Sequence, residues 1–129
     1  MYKRQVSDSV QLEMQLSADG TNYDTTNGNY HEGGTDRTGM SISTPTIGGA
    51  SGEVMGVSMV SNLYNVSSTA IQTALTSRGG GQDANGNFSN SSRASSYVSS
   101  TAAHTAIKIL FTSGNIESGE ITMFGIVNS

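Results

Sequence analysis

The chain has 129 residues, which is the size of one domain with a single hydrophobic core. Only 34% of its residues are apolar and 12% are charged, whereas glycine, serine, threonine and asparagine are abundant. The apolar residues nevertheless cluster in alternating runs, a pattern typical of short strands rather than of a disordered chain. We therefore expect one folded domain.

The charge and the cysteine count exclude several function classes. The formal net charge is -4, and only six residues are Lys or Arg. These basic residues are scattered along the chain, so we expect no nucleic-acid partner. The absence of cysteine excludes disulfides, thiolate metal ligands and a cysteine nucleophile. No apolar run is long enough for a membrane-spanning helix, so we expect no membrane insertion.

The first five residues, "MYKRQ", do not continue the pattern that follows them. They resemble the translation of a transposon-type sequencing adapter, as occurs at the truncated ends of metagenomic genes. On this interpretation residues 1–5 take no part in the fold, and the natural chain begins upstream of Val6. A genuine basic tail is the alternative. Residues 6–129 would then form a single domain that lacks its N-terminal strand or strands.

The first predicted strand lies in "SVQLEMQLS", residues 9–17, where apolar and polar residues alternate. This period of two predicts a strand with one dry face and one wet face. The pair Asp19-Gly20 predicts a tight hairpin turn, after which Tyr23 opens the returning strand. Residues 25–39 are polar and glycine-rich, and we interpret them as a loop with room for one edge strand.

The middle of the chain predicts further strands and one long loop. "MSIST", residues 40–44, is a short strand candidate, and residues 53–63 resemble a strand buried on both sides. Residues 66–77, "VSSTAIQTALTS", fit either a strand or a short helix, and the neighbouring strands favour a strand. Residues 78–94 have the lowest complexity, which predicts a long exposed loop anchored by Phe88.

The chain closes with "IKILFTSGNIESGEITMFGIVNS", which reads as two strands joined by a polar turn. Ile107, Ile109 and Phe111 form one face of the first strand. In the second strand, either Ile121, Met123 and Gly125 or Thr122, Phe124 and Ile126 share a face. Several short strands without a credible long helix predict an all-β, antiparallel sandwich or barrel.

The residues carry no recognisable catalytic or metal-binding pattern. His31 and His104 are the only histidines, and His31 and its neighbour Glu32 would point to opposite sides of a strand. The glycine-rich stretches lack the Lys-Ser or Lys-Thr of a phosphate-binding loop, and the serines lack the G-x-S-x-G pattern. Glu117 and Glu120 straddle a polar turn, where nothing raises a carboxyl pKa. We expect no enzyme activity, no cofactor and no metal.

Aromatic residues in the polar stretches offer a possible binding function. Tyr30, Phe88 and Tyr97 could present flat apolar faces to sugar rings, because aromatic rings in polar loops recognise such faces beside hydroxyl groups. Packing in the core or at its rim is the alternative role for these residues. A carbohydrate-binding module is therefore one functional hypothesis.

Three stretches are similar in order and spacing to a family of phage virion proteins. They are "LEMQLSADGTNYDTTNGNY", "SGEVMGVSMVSNLYNVSSTA" and "IKILFTSGNIESGEITMFGI", and the match spans residues 10–127. The terminal S-G-N-x-x-S-G hairpin and its aromatic-Gly ending are matched by Ser113, Gly114, Asn115, Ser118, Gly119, Phe124 and Gly125. The family usually has Tyr where this chain has Phe124, and one or two strands before the position of Val10.

This resemblance implies a fold and a function. The family has a β-sandwich of jelly-roll type and occurs in tail fibres, tailspike-associated proteins and head decoration proteins, often as homotrimers. We therefore expect a non-enzymatic structural component on the surface of a tailed-phage particle, in contact with its own copies, with other virion proteins and with host surface glycans. The closing hairpin would complete the sandwich, with Ile107, Ile109, Phe111, Ile121 and Met123 in its core.

Overall fold

A computed structural model of the chain describes residues 11–43, 57–82, 87–99, 101–113 and 119–125. Within these residues the structure has eight strands in two antiparallel sheets, and it has no helix that could span a membrane. This confirms the predicted all-β sandwich, while the jelly-roll connection stays a prediction. The strands are β1 (Leu12–Ser17), β2 (Tyr30–Glu32), β3 (Thr35–Arg37), β4 (Met40–Ser41), β5 (Val57–Tyr64), β6 (Ala74–Gln82), β7 (Phe88–Tyr97) and β8 (Ala106–Phe111). Residues 1–10 lie outside the description, so the predictions for residues 1–5 and for strands before Val10 stay predictions.

The smaller sheet has the order β4-β1-β8, with β1 at its centre. The alternation of β1 directs Leu12, Met14 and Leu16 into the core, where their exposed fractions are at most 4%. Their partners on β8 are Phe111, Ile109 and Ile107 in the same order, so both strands present apolar side chains to the same side. Phe111 is buried, as predicted.

The second face of β1 is also buried, so the predicted wet face is wrong. Glu13 and Gln15 are at most 5% exposed because the chain between β3 and β4 crosses over them. The Gln15 side-chain amide donates to the carbonyl of Thr38 over 3.4 Å. Gly39 lies so close that a Cβ there would be 3.0 Å from Glu13 Oε2. Alternation in β1 identifies the strand, but it contains no information on this cover, which comes from Thr38, 23 residues after Gln15, and from Gly39.

The larger sheet has the order β3-β2-β7-β6-β5. Its longest pairing joins β6 and β7 through nine residue pairs, so most of the loop predicted at residues 78–94 is a strand pair. Glycine makes the neighbouring β5–β6 pairing possible. A Cβ at Gly79 would collide with the Ser58 carbonyl oxygen and lie 2.7 Å from Met59 Sδ. Low complexity here marks close strand contact rather than a loop, and residues 83–86 lie outside the description.

The region around β5 differs from its prediction in two ways. β5 is the edge strand of its sheet, and most of its side chains between Val57 and Tyr64 are exposed or half-buried, so it is not buried on both sides; residues 53–56 of the predicted strand lie outside the description. Val60, for example, is 72% exposed. The ambiguous stretch that follows is neither helix nor strand before Ala74. Asn65 adopts φ 58° and Ser68 Oγ accepts hydrogen bonds from the Ala70 and Ile71 amides, which makes a local turn.

The hairpin predicted at Asp19-Gly20 does not form. The Asp19 carboxylate accepts hydrogen bonds from the Thr21 and Asn22 amides, and Gly20 adopts φ 81°. These contacts lower the pKa of Asp19, with the Asn22 amide as the largest cause. They fold a compact loop instead of a two-residue turn, and β1 pairs with β4 and β8 rather than with a strand at Tyr23.

The closing hairpin is formed in its first strand only. Residues 119–125 form no strand, and Ile121, Met123 and Phe124 are 52%, 70% and 84% exposed. The prediction that Ile121 and Met123 pack into the core of their own chain is therefore wrong. The turn at residues 114–118 and Ile126 lie outside the described residues.

Candidate functional site

Two of the three residues that were predicted to contact glycans are buried. Tyr30 is completely buried and Tyr97 is 7% exposed. They pair across β2 and β7, and their rings meet edge to face with centroids 5.0 Å apart. No sugar ring can reach either face in this fold. Phe88 is 66% exposed and lies on β7 rather than in a loop, and its role as a glycan contact stays a prediction.

The hydroxyl groups of the two buried tyrosines join the sheets. Tyr30 Oη accepts a hydrogen bond from the Leu16 amide of β1 and donates one to the Asp24 carbonyl, each with a length of 3.0 Å. Tyr97 Oη donates to Asp24 Oδ2 over 2.8 Å. The Asp24 amide in turn donates to the Leu16 carbonyl over 3.0 Å. Two strands of the larger sheet are thereby connected to β1 through one aspartate.

The Asp24 carboxylate accepts hydrogen bonds from two further residues besides Tyr97. Thr26 donates its amide to Oδ1 over 2.9 Å, and Asn29 donates its side-chain amide to Oδ2 over 2.7 Å. Burial tends to raise the pKa of Asp24, but these bonds and that from Tyr97 outweigh it and lower the pKa overall. An ionised carboxylate held by three donors is a structural contact and a poor general base. Sequence reasoning missed this role, although Asp24 lies in the first of the three stretches that carry the resemblance.

The two histidines do not form a shared site. His104 is buried, its ring meets that of Tyr97 edge to face at 4.9 Å, and Nδ1 lies 3.2 Å from Thr73 Oγ1. Burial lowers the pKa of His104, and the charge of Asp24 opposes this only in part. His31 lies on the exposed side of β2, where Nε2 is 3.1 Å from Asp36 Oδ1. His31 and Glu32 point to opposite sides, as predicted. In the described part of the chain no three His, Asp or Glu residues are placed to hold a metal ion.

A polar groove of about 410 Å³ lies beside β1 and the β3–β4 connection. One residue of its lining, Arg37, is held in place by an ion pair. The buried Glu32 carboxylate lies 3.2 Å from Arg37 Nη2 and 2.6 Å from Arg93 Nη1. Ser41 Oγ also donates to Glu32 over 2.7 Å. The groove is lined by Gln11, Glu13, Asn27, Asp36, Arg37, Thr38 and Thr112.

Glu13 is the buried carboxylic acid of this groove. Burial raises its pKa, the Arg37 charge lowers it, and the Glu32 charge raises it further. A glycoside hydrolase uses two carboxylic acids on either side of the bond that it cleaves. The second acid of the lining, Asp36, is exposed and paired with His31. The groove therefore offers polar contacts but no recognisable catalytic set.

The outer face of the larger sheet offers a second surface. A shallow depression of about 320 Å³ lies between His31, the Gly33-Gly34 turn and the small side chains of β6 and β7. Farther along β7, the Phe88 ring lies over Gly80, where a Cβ would come within 2.8 Å of Phe88 Cζ. The ring is therefore supported on one side and open to solvent on the other.

The chain was compared with protein-family models, with curated proteins and with solved structures, and none of the three comparisons gave a match. Its possible function must therefore be argued from its own residues and surfaces.

Tyr97→Phe tests the tie between the sheets. The substitution removes the donor to Asp24 and keeps the ring, and hydrogen bonds to charged groups contribute about 1.5–3 kcal/mol. We expect the free energy of unfolding in urea to fall by about 1.5 kcal/mol. Tyr64→Phe is the matched control, because its hydroxyl is exposed and 3.4 Å from Thr76 Oγ1. A control that loses as much stability as Tyr97→Phe would contradict the assignment.

Glu13→Gln tests the buried carboxyl. Because its folded-state pKa is raised from the ordinary 4.5, the stability that its proton gives is present below pH 4.5 and is lost as pH rises through the folded value. Gln keeps the shape without the charge, so we expect a higher melting temperature than wild type at pH 7 and no difference below pH 4.5. Glu120→Gln, at an exposed site, should change neither. A variant that is less stable at pH 7 would refute the prediction.

Proposed function

We propose that the chain is a non-enzymatic structural component of a tailed-phage particle, displayed on a fibre or on the capsid surface in a homotrimer. The resemblance of its ordered motifs to phage virion proteins supports this proposal. The all-β sandwich agrees with the architecture that the resemblance implies.

The observation that carries the proposal is the apolar surface of a small, otherwise polar chain. Single exposed apolar residues are ordinary, but a contiguous apolar stretch marks an interaction surface. Segment 121–124 is such a stretch, because three of its four side chains are large, apolar and more than half exposed. A subunit that is covered by its neighbours in a particle would carry such a surface.

The contacts of the charged residues support a structural role. Asp24 is occupied by Tyr97, Asn29 and Thr26, and Glu32 is occupied by Arg37, Arg93 and Ser41. Each set includes one contact to a distant strand, from Tyr97 or Arg93 of β7. These two carboxylates stabilise the sandwich, which favours a structural role over a catalytic one.

The DNA that flanks the coding region tests this function. We expect genes for tail or capsid proteins on either side. Long-read sequencing of the source DNA gives this result directly. Flanking genes of a metabolic operon, with no virion gene nearby, would contradict the proposal.

A glycan-binding module is the second candidate, and the exposed Phe88 ring favours it. The ring is supported by Gly80 and lies on a hydroxyl-rich sheet face, as sugar-stacking aromatics do. On a glycan array we expect Phe88→Ala to abolish the signal that the wild-type chain gives. Val60→Ala is the control, because Val60 is similarly exposed on β5 without an aromatic ring. No signal from wild type, or equal loss in both variants, would remove this candidate.

A further inference from the structure

The polar groove beside β1 has walls that are held by backbone contacts. The Gln11 amide donates to Thr112 Oγ1 over 3.1 Å, and the Thr112 amide donates to the Gln11 carbonyl over 2.9 Å. The Gly28 amide donates to the Arg37 carbonyl over 3.3 Å, which holds the loop of Asn27 beside β3. The groove volume of about 410 Å³ lies within the range of small-molecule sites, about 300–1,000 Å³. The fold therefore shapes this groove before any ligand binds.

Two nitrogen atoms of the lining are buried without an acceptor. Among the described residues, neither Gln11 Nε2 nor Arg37 Nε has a hydrogen-bond partner, although both atoms are shielded from solvent. Gln11 is only 3% exposed, and Arg37 Nη2 is already paired with Glu32. A buried N–H group without an acceptor is destabilising and is rare in folded proteins. Because both residues line the groove, an oxygen atom of a bound molecule can supply the missing acceptor.

The chemistry of the lining narrows the class of that molecule. Glu13 and Asp36 carry carboxyl groups, which repel an anion when they are ionised. A cation would not satisfy the two N–H groups, because they need an acceptor. The described lining is entirely polar or charged, so an apolar ligand would leave its groups unpaired. A neutral molecule with several hydroxyl groups fits, because each hydroxyl accepts from an N–H group and donates to a carboxyl oxygen.

We propose that this groove binds one unit of a saccharide through hydrogen bonds to Gln11, Arg37 and Glu13. The exposed rim adds hydroxyl and amide groups that can both donate to a sugar and accept from it. These rim residues are Asn27, Thr38 and Thr112.

This site is separate from the exposed Phe88 ring. Phe88 belongs to β7, and no described residue of β7 lines the groove. The inference therefore rests neither on the phage assignment nor on a glycan contact at Phe88.

NMR signals of the side-chain nitrogens test the proposal. Protein labelled with the heavy nitrogen isotope is titrated separately with glucose, galactose and N-acetylglucosamine. For at least one of these sugars we expect the Gln11 Nε2 and Arg37 Nε signals to shift together along one saturable curve. The side-chain amide of Asn62, exposed on β5, is the internal control and should not move. No shift with any of the three sugars, or the same shifts with sodium acetate alone, would overturn the proposal.

Gln11→Met gives a second measurement. The substitution keeps the length of the side chain and removes the amide, so we expect about tenfold weaker sugar binding, as the loss of one hydrogen bond predicts. Because this amide has no partner among the described residues, the melting temperature without sugar should not fall. Gln72→Met is the matched control, since Gln72 Nε2 donates to the Val98 carbonyl over 3.2 Å. It should lower the melting temperature and leave sugar binding unchanged.

Two results with Gln11→Met would refute the site. A variant that is less stable than wild type without sugar would show that the amide already has a partner in the fold. A variant that binds the sugar as tightly as wild type would show that the amide does not contact it.

Phe88→Ala distinguishes this site from the second candidate function. The variant should keep the sugar-dependent shifts of the Gln11 and Arg37 signals even where the glycan-array signal is lost. Shifts that disappear in Phe88→Ala would place the sugar at the Phe88 ring and would refute binding in the groove. Virion genes missing from the flanking DNA would remove the phage role and leave the groove site untouched.

Discussion

The sandwich depends on one contact between its sheets, the hydrogen bonds that Tyr30 and Tyr97 make with Asp24 and β1. A tyrosine hydroxyl in a core must find polar partners, because an unpaired polar group in an apolar environment is destabilising. Here the partners are the backbone of Leu16 and both the carbonyl and the carboxylate of Asp24. The hydrogen bonds that the buried tyrosines require therefore also fix the position of the loop after β1. Without that loop, both hydroxyls would lose the Asp24 oxygens to which they donate.

The same principle explains how a chain with few apolar residues can fold. Several buried side chains are serines, and three of them make hydrogen bonds that connect strands or sheets. Ser43 Oγ accepts from the Leu12 amide over 2.9 Å, Ser41 Oγ donates to Glu32, and Ser77 Oγ lies 2.9 Å from Ser61 Oγ. A serine is small enough to let strands and sheets approach closely, and its hydroxyl finds a partner locally. The interior is thus held by many short polar contacts around a small apolar centre.

The sequence predicts those parts of the fold whose signal is local. β1 and β8 alternate apolar and polar residues within one strand length, and both strands and their inward faces were predicted. β7 and the part of β6 beyond Ser77 were missed because Gly79 and the serines around it carry no hydrophobic signal. These two strands pair through backbone hydrogen bonds, and Gly79 leaves the space that Met59 of β5 occupies. A strand made of small residues and a loop made of small residues have the same composition, and only tertiary contacts distinguish them.

The candidate site was less predictable for the same reason. Tyr30, Phe88 and Tyr97 all lie in polar surroundings in the sequence, yet two are buried and one is exposed. The Tyr97 hydroxyl binds Asp24, 73 residues earlier, whereas the Phe88 ring lies over Gly80 at the surface. An aromatic residue in a polar stretch is therefore ambiguous until its distant partner is known. Asp24 is a local indication of that partner, because an aspartate in a polar loop can accept a hydrogen bond from a buried hydroxyl group.

The closing segment shows where a correct local pattern stops being informative. Ile121 and Met123 alternate as strand residues do, yet residues 119–125 form no strand and both side chains are more than half exposed. Ile107 and Ile109 of β8 alternate in the same way, but their partners on β1 place them against the core. The local pattern therefore specifies which side chains a strand would turn inward, but it contains no information on whether a neighbouring strand is there to pair with it. Of two stretches with the same alternation, the one that a distant strand meets forms part of the sheet.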